Sequence, residues 1–286
     1  MSELDLTKFK ALVFDCYGTL VDWEEGIYQG LQPMLRRVKP SLSSKKEALV
    51  AFNAVEVDLQ AKYPTMLYRD ILAHTHAELA ARLQGKPTRP DDGHSVAVTE
   101  LAPHAGGQTS SSMTTAGSSS AANQVAPSSG LKEEDITFAN SIAGWQPFPD
   151  TIPALVTLSK YYKLAILSNV DNDSFAFTRA LLESSAEYPF KFDAVYTAQD
   201  IGSYKPDVAN FKYALKNLHE EFGIEKHEVL VTAGSLAHDH VPANQLGLNS
   251  VWIAREGAAV AQEPVATYDM KFSTLGEMAG EVVRQR

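Results

Sequence analysis

Residues 9–20 read FKALVFDCYGTL and contain the pattern that decides the fold. Lys10–Asp15 (KALVFD) is a short, almost continuous apolar run that ends in an aspartate, and Gly18 allows the loop behind it to turn tightly. Such a run is typical of a strand buried on both faces of a parallel sheet. Its final aspartate would lie at the carboxyl edge of the sheet, where open α/β folds bind ligands, or would cap the next helix.

Four further apolar runs have the same character and are predicted as strands: Lys163–Ser168, Phe192–Thr197, Val229–Ala233 and Ser250–Ala254. Helical stretches alternate with these strands, at Thr151–Tyr161, Asp173–Leu182, Asp207–Glu221, His238–Leu246 and, after the last strand, Phe272–Arg286. Alternation of this kind predicts βαβ units with right-handed crossovers. The predicted fold class is therefore α/β, with a doubly wound parallel sheet.

The connection between the first two strands is exceptionally long. About 145 residues separate them, whereas a crossover helix needs about a dozen. Helical stretches at Glu24–Val38, Lys45–Gln60 and Thr65–Leu83 predict an inserted helical domain. Because the insertion leaves the sheet at its carboxyl edge, it would cover the site as a cap. The predicted domains are a core of residues 1–20 and 145–286 and a cap of residues 21–144.

Within the predicted cap, residues 86–130 are rich in Ser, Gly, Ala and Thr and nearly free of large apolar side chains. Such a segment cannot bury enough apolar surface to offset the entropy of ordering it, so a flexible surface excursion is predicted. A docking or phosphorylated segment is the alternative.

Composition limits the classes of function. Apolar residues make up 44% of the chain and charged residues 21%, values typical of soluble globular proteins. The N-terminus has no signal-peptide design, no apolar run is long enough to span a membrane, and the single Cys16 suits a reducing compartment, so a cytoplasmic protein is expected. A net charge of −10 argues against a nucleic-acid partner, although one local Lys or Arg could still hold a small anion.

Polar side chains also follow the other predicted strands. Ser168 and Asn169 end the second strand, where they could bind an oxyanion or carboxylate, or cap a helix. Lys205 stands before Pro206, which favours the start of a helix. Its ammonium could stabilise the Asp15 carboxylate at the sheet edge, or lie in solvent as most lysines do.

The fourth predicted strand is followed by Ser235, His238, Asp239 and His240. Asp239 could orient a water molecule or hold Lys205, and the two histidines could act in acid–base steps. A His-x-His pair is also a metal-binding pattern, but it lacks a clear third ligand here. The alternative is that these residues begin a helix and that at most one of them faces the site. All four groups of polar residues fall at carboxyl ends of predicted strands, which favours a single site.

Taken in order, DCYGTL at 15–20, LSN at 167–169, SYKPD at 203–207 and SLAHDHVPANQLGL at 235–248 resemble the four motifs of the haloacid dehalogenase (HAD) superfamily. The resemblance covers Phe9 to Arg255 apart from the low-complexity segment. Within the superfamily, DCYGT resembles the type II L-2-haloacid dehalogenases. Tyr17 stands where the phosphatases of the superfamily carry a second aspartate as general acid.

The resemblance implies a mechanism and an assignment of residues. Asp15 would attack the substrate carbon and displace halide, and water would then hydrolyse the aspartyl ester. Lys205 would neutralise Asp15, and Asp239 would position Lys205 or the water. The implied catalytic residues are Asp15, Lys205, Asp239 and Ser235, and the implied substrate-binding residues are Tyr17, Thr19, Ser168, Asn169 and His238. The implied partner is a small anionic organic acid, with a homodimer as the oligomeric state suggested by the family.

Two departures from the family pattern affect these implications. Gly234 stands where the phosphatases carry an acidic residue that helps to bind magnesium, so metal-independent chemistry without a cofactor is expected. The lid arginine that grips the substrate carboxylate is missing from the stretch 51–53 (AFN), and Lys62 or Arg69 are candidate substitutes. The alternatives are a magnesium-dependent phosphatase that uses Asp15 and Asp239, and a non-catalytic protein that keeps the fold to bind a ligand.

Overall fold

The computed structural model describes residues 4–37, 42, 44–85, 130–184, 189–259 and 266–286. These residues form a six-stranded sheet with the order β3-β2-β1-β4-β5-β6, and every neighbouring pair is parallel. The strands are β1 (Ala11–Phe14), β2 (Lys163–Ser168), β3 (Ala194–Thr197), β4 (Val229–Ala233), β5 (Asn249–Ile253) and β6 (Met270–Phe272). The strand order reverses its direction at β1, as in doubly wound folds. The predicted fold class is confirmed.

The helices that accompany these strands are α1 (Trp23–Leu35), α2 (Lys45–Lys62), α3 (Tyr68–Leu83), α4 (Glu133–Asn140), α5 (Thr151–Leu158), α6 (Asn172–Leu182), α7 (Ala198–Ile201), α8 (Val208–Phe222), α9 (Val241–Gln245) and α10 (Leu275–Gln285). In the described parts of the chain, no helix combines the length and the hydrophobicity that crossing a membrane requires. One turn of π-helix, Leu236–His240, leads directly into α9.

The sheet separates two apolar clusters because successive side chains of a strand point to opposite faces. In β1, Leu12 and Phe14 belong to one cluster, whereas Ala11 and Val13 belong to the other. Every residue of β1 is buried, as its continuous hydrophobicity predicts. Burial of both faces places β1, and the aspartate that follows it, at the centre of the molecule.

The chain end differs from the sequence prediction. Met270–Phe272 pairs with β5 as an edge strand, although Phe272 was predicted to begin the terminal helix. That helix begins at Leu275, because the side chain of Thr274 caps it by accepting a hydrogen bond from the Glu277 N–H. A three-residue edge strand whose side chains are only partly buried has no continuous apolar run, so the sequence pattern missed it.

Helices α1 to α4 form the insertion between β1 and β2, and their apolar faces join the cluster that contains Leu12 and Phe14. Two hydrogen bonds connect the insertion to the loops of the sheet. Tyr204 Oη donates to the Met66 carbonyl at 2.6 Å, and the Arg69 N–H donates to Asp171 Oδ2 at 3.0 Å. The predicted domain boundaries stay predictions, and the predicted flexible stretch at 86–130 lies outside the described residues except for Gly130.

Truncation of Phe52 tests the apolar core that the inserted helices share with the sheet. Its side chain is fully buried on α2 and packs against Phe138 of α4 with ring centroids 5.6 Å apart. We expect Phe52→Ala to lower the free energy of unfolding by about 3–5 kcal/mol, because it removes a large buried ring and leaves a cavity. Urea denaturation measures this. Phe177→Ala is the matched control, because Phe177 is 60% exposed and its loss should change stability by less than about 0.5 kcal/mol.

Candidate active site

The carboxyl edge of the sheet holds a buried ammonium between two carboxylates. Lys205 Nζ donates to Asp15 Oδ1 at 2.8 Å and to Asp239 Oδ1 at 2.7 Å. Its third hydrogen bond goes to the Leu167 carbonyl at 2.9 Å. Asp15 follows β1, Asp239 follows β4 and Leu167 lies in β2, so one side chain connects three adjacent strands. The reading of Lys205 as a solvated surface lysine is therefore wrong.

Burial and charge act in opposite directions on this group. Burial alone would lower the pKa of Lys205, but the carboxylates of Asp15 and Asp239 outweigh it and raise that pKa. Lys205 therefore stays a charged ammonium. Only the charged form can stabilise an anion. Burial raises the pKa of Asp239, against the effect of Lys205, because its carboxylate is almost completely removed from water.

Asp15 is the most accessible member of the three. Its side chain is 10% exposed, against 1% for Lys205 and 2% for Asp239. Thr19 Oγ1 donates to Asp15 Oδ2 at 2.6 Å and accepts the Gly234 N–H at 2.7 Å, which fixes the carboxylate from its second oxygen. The alternative that Asp15 caps the next helix is wrong, because Asp22 caps α1.

The two residues at the end of β2 have different environments. The side-chain amide of Asn169 makes two hydrogen bonds to the backbone of Lys205. Its Nδ2 donates to the Lys205 carbonyl at 3.0 Å, and its Oδ1 accepts the Lys205 N–H at 2.7 Å. Ser168 Oγ is buried and has no hydrogen-bond partner in the described parts of the chain. Neither residue caps α6, whose cap is Asp171. Of the two, Ser168 has the hydroxyl that is not bonded within the described protein.

Some side chains of the segment after β4 lie at the site, and others lie in the core. Ser235 accepts a hydrogen bond from the His238 N–H at 3.1 Å. It therefore begins a helical turn, as the alternative to a site role for these residues predicted. Burial, helped by Lys205, lowers the pKa of His238, which keeps its imidazole neutral at pH 7. His240 is fully buried and contacts Ser250 Oγ at 2.9 Å and the Ala233 carbonyl at 3.2 Å. The predictions of an acid–base or metal role for His240 are wrong, because both ring nitrogens are used in the core.

A cavity of about 460 Å³ lies at this edge, between the loops of the sheet and the inserted helices. Its walls combine residues that follow β1, β2, β4 and β5 with residues of α1, α2 and α3. They include the predicted Tyr17, Asn169, Ser235 and His238 and the unpredicted Trp23, Lys45, Asn53, Glu56, Tyr68 and Arg255. A second cavity of about 480 Å³ lies near the amino ends of β1 and β2, away from these residues.

Tyr17 lines the cavity between the loops of the sheet and the inserted helices. Its hydroxyl lies 2.9 Å from Thr178 Oγ1, and its ring packs edge-on against Trp145 with centroids 5.6 Å apart. Burial raises the pKa of Tyr17 well above its ordinary value, so the phenol stays neutral. Tyr17 is held in place by the protein and presents an uncharged surface to the cavity.

Arg255 and Glu56 are among the ionisable wall residues that sequence reasoning missed. Arg255 follows β5 and donates to the Thr19 carbonyl at 2.8 Å and to Asp150 at 2.6 Å, which supports the loop that carries Asp15. Its position after a predicted strand was a usable signal. Glu56 of α2 is buried at the cavity, and nothing in its sequence context distinguishes it from an ordinary exposed helical glutamate.

The suggested substitutes for a cap arginine do not line the cavity. The guanidinium of Arg69 donates to Asp173 at 3.1 Å and is partly exposed. Lys62, at the end of α2, lies over the ring of Tyr63. Asn53, from the stretch where the family pattern led us to look for the arginine, does line the cavity, but with an uncharged amide.

The residues at this edge supply only part of the ligand set that magnesium needs. A Cβ added at Gly234 would lie 2.6 Å from the Gly18 carbonyl oxygen, so the backbone leaves no room for an acidic side chain there. Asp239 Oδ1 is already bonded to Lys205, whereas its Oδ2 is buried and has no hydrogen-bond partner in the described parts of the chain. In the described ranges, no group of three or more His, Cys, Asp or Glu side chains could hold a metal ion. Neither Asp15 nor Asp239, the two carboxylates that the phosphatase alternative needs, is among the residues that line the cavity, although Tyr17 and Gly18 of the loop after Asp15 are.

Comparison with known proteins assigns the family. The sequence profile of the haloacid dehalogenase-like hydrolases matches residues 9–233, and the chain therefore belongs to this family of hydrolases. None of the curated protein sequences compared with the chain matches it. Solved structures that are 14–20% identical to the chain resemble it, and at this identity they bear on the fold alone.

Several of these structures are dehalogenases. An L-2-haloacid dehalogenase from Xanthobacter autotrophicus with chloropropionic acid covalently bound is 18% identical, with a TM-score of 0.63 over 96% of this chain and 98% of that one. A defluorinating L-2-haloacid dehalogenase is 16% identical, with a TM-score of 0.62 over 96% and 95%. A protein described as a HAD hydrolase from Bacillus subtilis, bound to magnesium, is 14% identical, with a TM-score of 0.61 over 96% and 99%.

The contact between Gly234 and Gly18 can be tested by adding one methyl group. We expect Gly234→Ala to lower the free energy of unfolding by about 1–3 kcal/mol, because the new Cβ must displace the backbone behind Asp15. Urea denaturation measures the change. Gly280→Ala in α10 is the control, since open space surrounds Gly280 and alanine favours a helix. If both variants were as stable as the parent protein, the close approach at Gly234 would not constrain the site.

Proposed function

We propose that the chain is a metal-independent hydrolase that converts L-2-haloacids to 2-hydroxy acids through an ester on Asp15. The observation that carries this proposal is the placement of Asp15 at the carboxyl edge of the sheet, held by Lys205 and Thr19, at the start of the loop whose Tyr17 and Gly18 line the cavity. A carboxylate nucleophile needs such fixed orientation and a nearby cation that offsets charge. The described site offers no cluster of metal-binding side chains for the competing phosphatase chemistry.

In the first step, a carboxylate oxygen of Asp15 attacks carbon 2 of the substrate. The new C–O bond forms as the C–halogen bond breaks, and the halide leaves with the bonding electrons. In the second step, water adds to the aspartyl carbonyl carbon, and the acyl C–O bond breaks. The 2-hydroxy acid leaves with one proton, a second proton passes to solvent, and Asp15 regains its carboxylate with one oxygen from water.

The surrounding residues have different proposed roles. Lys205 stabilises the negative charge that develops on the aspartyl oxygens in the second step, and Asp239 holds Lys205 in position. Ser168, whose hydroxyl is unpaired, is proposed to bind the substrate or the attacking water. Thr19 and Asn169 orient Asp15 and the Lys205 backbone. The predicted substrate contacts of Tyr17 and His238 and the predicted catalytic role of Ser235 are compatible with their positions in the cavity wall.

The substrate is thus proposed to be a small organic acid whose acidic group lies in the cavity. A cytoplasmic location and a homodimer accompany this proposal as expectations from the sequence.

The ester cycle can be tested by isotope transfer. After turnover of 2-chloropropionate in oxygen-18 water, mass spectrometry of the Asp15 peptide should show incorporated label, because water attacks the aspartyl carbonyl. Asp15→Asn should abolish halide release, whereas Asp58→Asn should not, since Asp58 is exposed on the outer side of α2. Turnover without label in Asp15 would refute the nucleophile.

The absence of a metal requirement needs its own measurement. Halide release should continue undiminished in EDTA, because the proposed chemistry uses only the Lys205 ammonium to stabilise charge. If no halide appears and phosphate is released from phosphorylated metabolites only with magnesium, the protein is a phosphatase. If neither activity is found but small acids bind, the fold serves as a binding protein.

A further inference from the structure

The cap side of the cavity contains a buried carboxyl group that the proposed ester chemistry does not use. Glu56 of α2 is 7% exposed and lines the cavity. Its Oε1 accepts a hydrogen bond from the Tyr68 hydroxyl at 2.8 Å. In the described parts of the chain no lysine or arginine bonds to this carboxyl group, and no hydrogen bond to its Oε2 is found.

This environment favours the neutral form of the carboxyl group. Burial raises the pKa of Glu56 to about 7, although the hydrogen bond from Tyr68 acts to lower it. A neutral carboxylic acid is a hydrogen-bond donor as well as an acceptor. Because Tyr68 already donates to Oε1, the acidic proton of Glu56 is available on the other oxygen for a ligand in the cavity.

The cations in the cavity wall are already paired. Lys45 donates to Glu25 at 2.6 Å, and Arg255 donates to Asp150 and to the Thr19 carbonyl. His238 is neutral because burial lowers its pKa. An anionic substrate would therefore meet no uncommitted cation among the described wall residues, and its acceptor atoms need a neutral donor.

We propose that Glu56, as the neutral carboxylic acid, donates a hydrogen bond to the carboxylate of the substrate and so fixes its orientation toward Asp15. The inference rests on the proposed function, since it identifies how the same cavity recognises an organic acid. Carboxylic acids kept neutral by an apolar site serve as donors to anionic groups in other enzymes. A bond from a neutral donor to a charged acceptor is also among the stronger hydrogen bonds of proteins.

The neighbours of Glu56 determine how binding depends on pH. Tyr68 of α3 and Tyr204 before α8 lie near it, and the ring of Tyr17 lies 6.3 Å from that of Tyr68. Burial raises the pKa of all three tyrosines, so they stay neutral near pH 7. The charged or titratable residues elsewhere in the same wall are Asp22, Glu24, Lys45, His238, Arg255 and Glu256. Asp239, whose pKa is also raised, lies on the core side behind Lys205. A variant at Glu56 is therefore needed to separate these contributions.

Binding of propionate tests the inference, because propionate has the carboxylate of the proposed substrate but no leaving group. Isothermal titration of the wild-type protein should show the Kd rising about tenfold from about pH 6 to about pH 8, as the protonated fraction of Glu56 falls from about nine-tenths to about one-tenth. The sign follows from the proton: binding is strong while Glu56 is protonated and weakens as it ionises. A Kd that is constant over this range would overturn the inference.

Three variants sharpen the test. Glu56→Gln keeps a donor of the same shape that cannot ionise, so it should bind propionate with no change of Kd over the same pH range. Glu56→Leu removes the donor and should weaken binding at least tenfold at about pH 6, with circular dichroism as the check on folding. Asp58→Asn, two residues along α2 and exposed, should keep the wild-type dependence. A tenfold rise of Kd that persists in Glu56→Gln would assign the titration to another group and reject the proposal.

The outcome is separable from that of the ester chemistry. If Asp15 acquires oxygen-18 with some substrate but propionate does not bind, the recognition role of Glu56 is rejected and the nucleophile stands. If propionate binds with the expected pH dependence but no halide is released, the recognition role stands and dehalogenation is rejected.

Discussion

The ion pair of Lys205 with Asp15 and Asp239 is the constraint on which the rest of the site depends. An ammonium that is 1% exposed is stable only if every one of its hydrogens is bonded and opposite charge is close. Both conditions are met only when the ends of β1, β2 and β4 lie side by side. The strand order of the parallel sheet therefore determines the site, because it brings Lys205, Asp15 and Asp239 together.

Further hydrogen bonds around this charged centre limit its movement. Asn169 fixes the backbone of Lys205, while Thr19 connects Asp15 to the Gly234 N–H. Arg255 holds the Thr19 carbonyl from the other side. Each contact joins a loop behind one strand to a loop behind another, so the orientation of the Asp15 carboxylate is determined by several strands at once.

The ion pair and the buried polar groups of the cap lie on opposite sides of the site. On the core side, Lys205 supplies charge to the carboxylate of Asp15. On the cap side, Tyr68 and Glu56 are hydrogen-bonded to each other in the cavity wall, and Lys45, the cation that the described part of the cap contributes to that wall, is paired with Glu25. In our proposal the residues of the ester chemistry and those that recognise the substrate therefore lie on different elements. The family motifs lie in the core loops, and the unpredicted residues lie mainly in the inserted helices.

The sequence by itself determined five of the six strands and their parallel arrangement, because buried parallel strands have continuous apolar runs whose ends meet at one edge. With the family motifs it also determined the group Asp15, Lys205 and Asp239. The residue pattern alone did not distinguish His238 from His240, although the family resemblance assigned His238 to the site, since one turn of helix decides which imidazole faces the cavity and which joins the core. The sequence missed β6, which is exposed or only partly buried, and it could not find Glu56. The burial that raises the pKa of Glu56 to about 7 comes from helices and loops far apart in the chain, and only tertiary packing brings them around it.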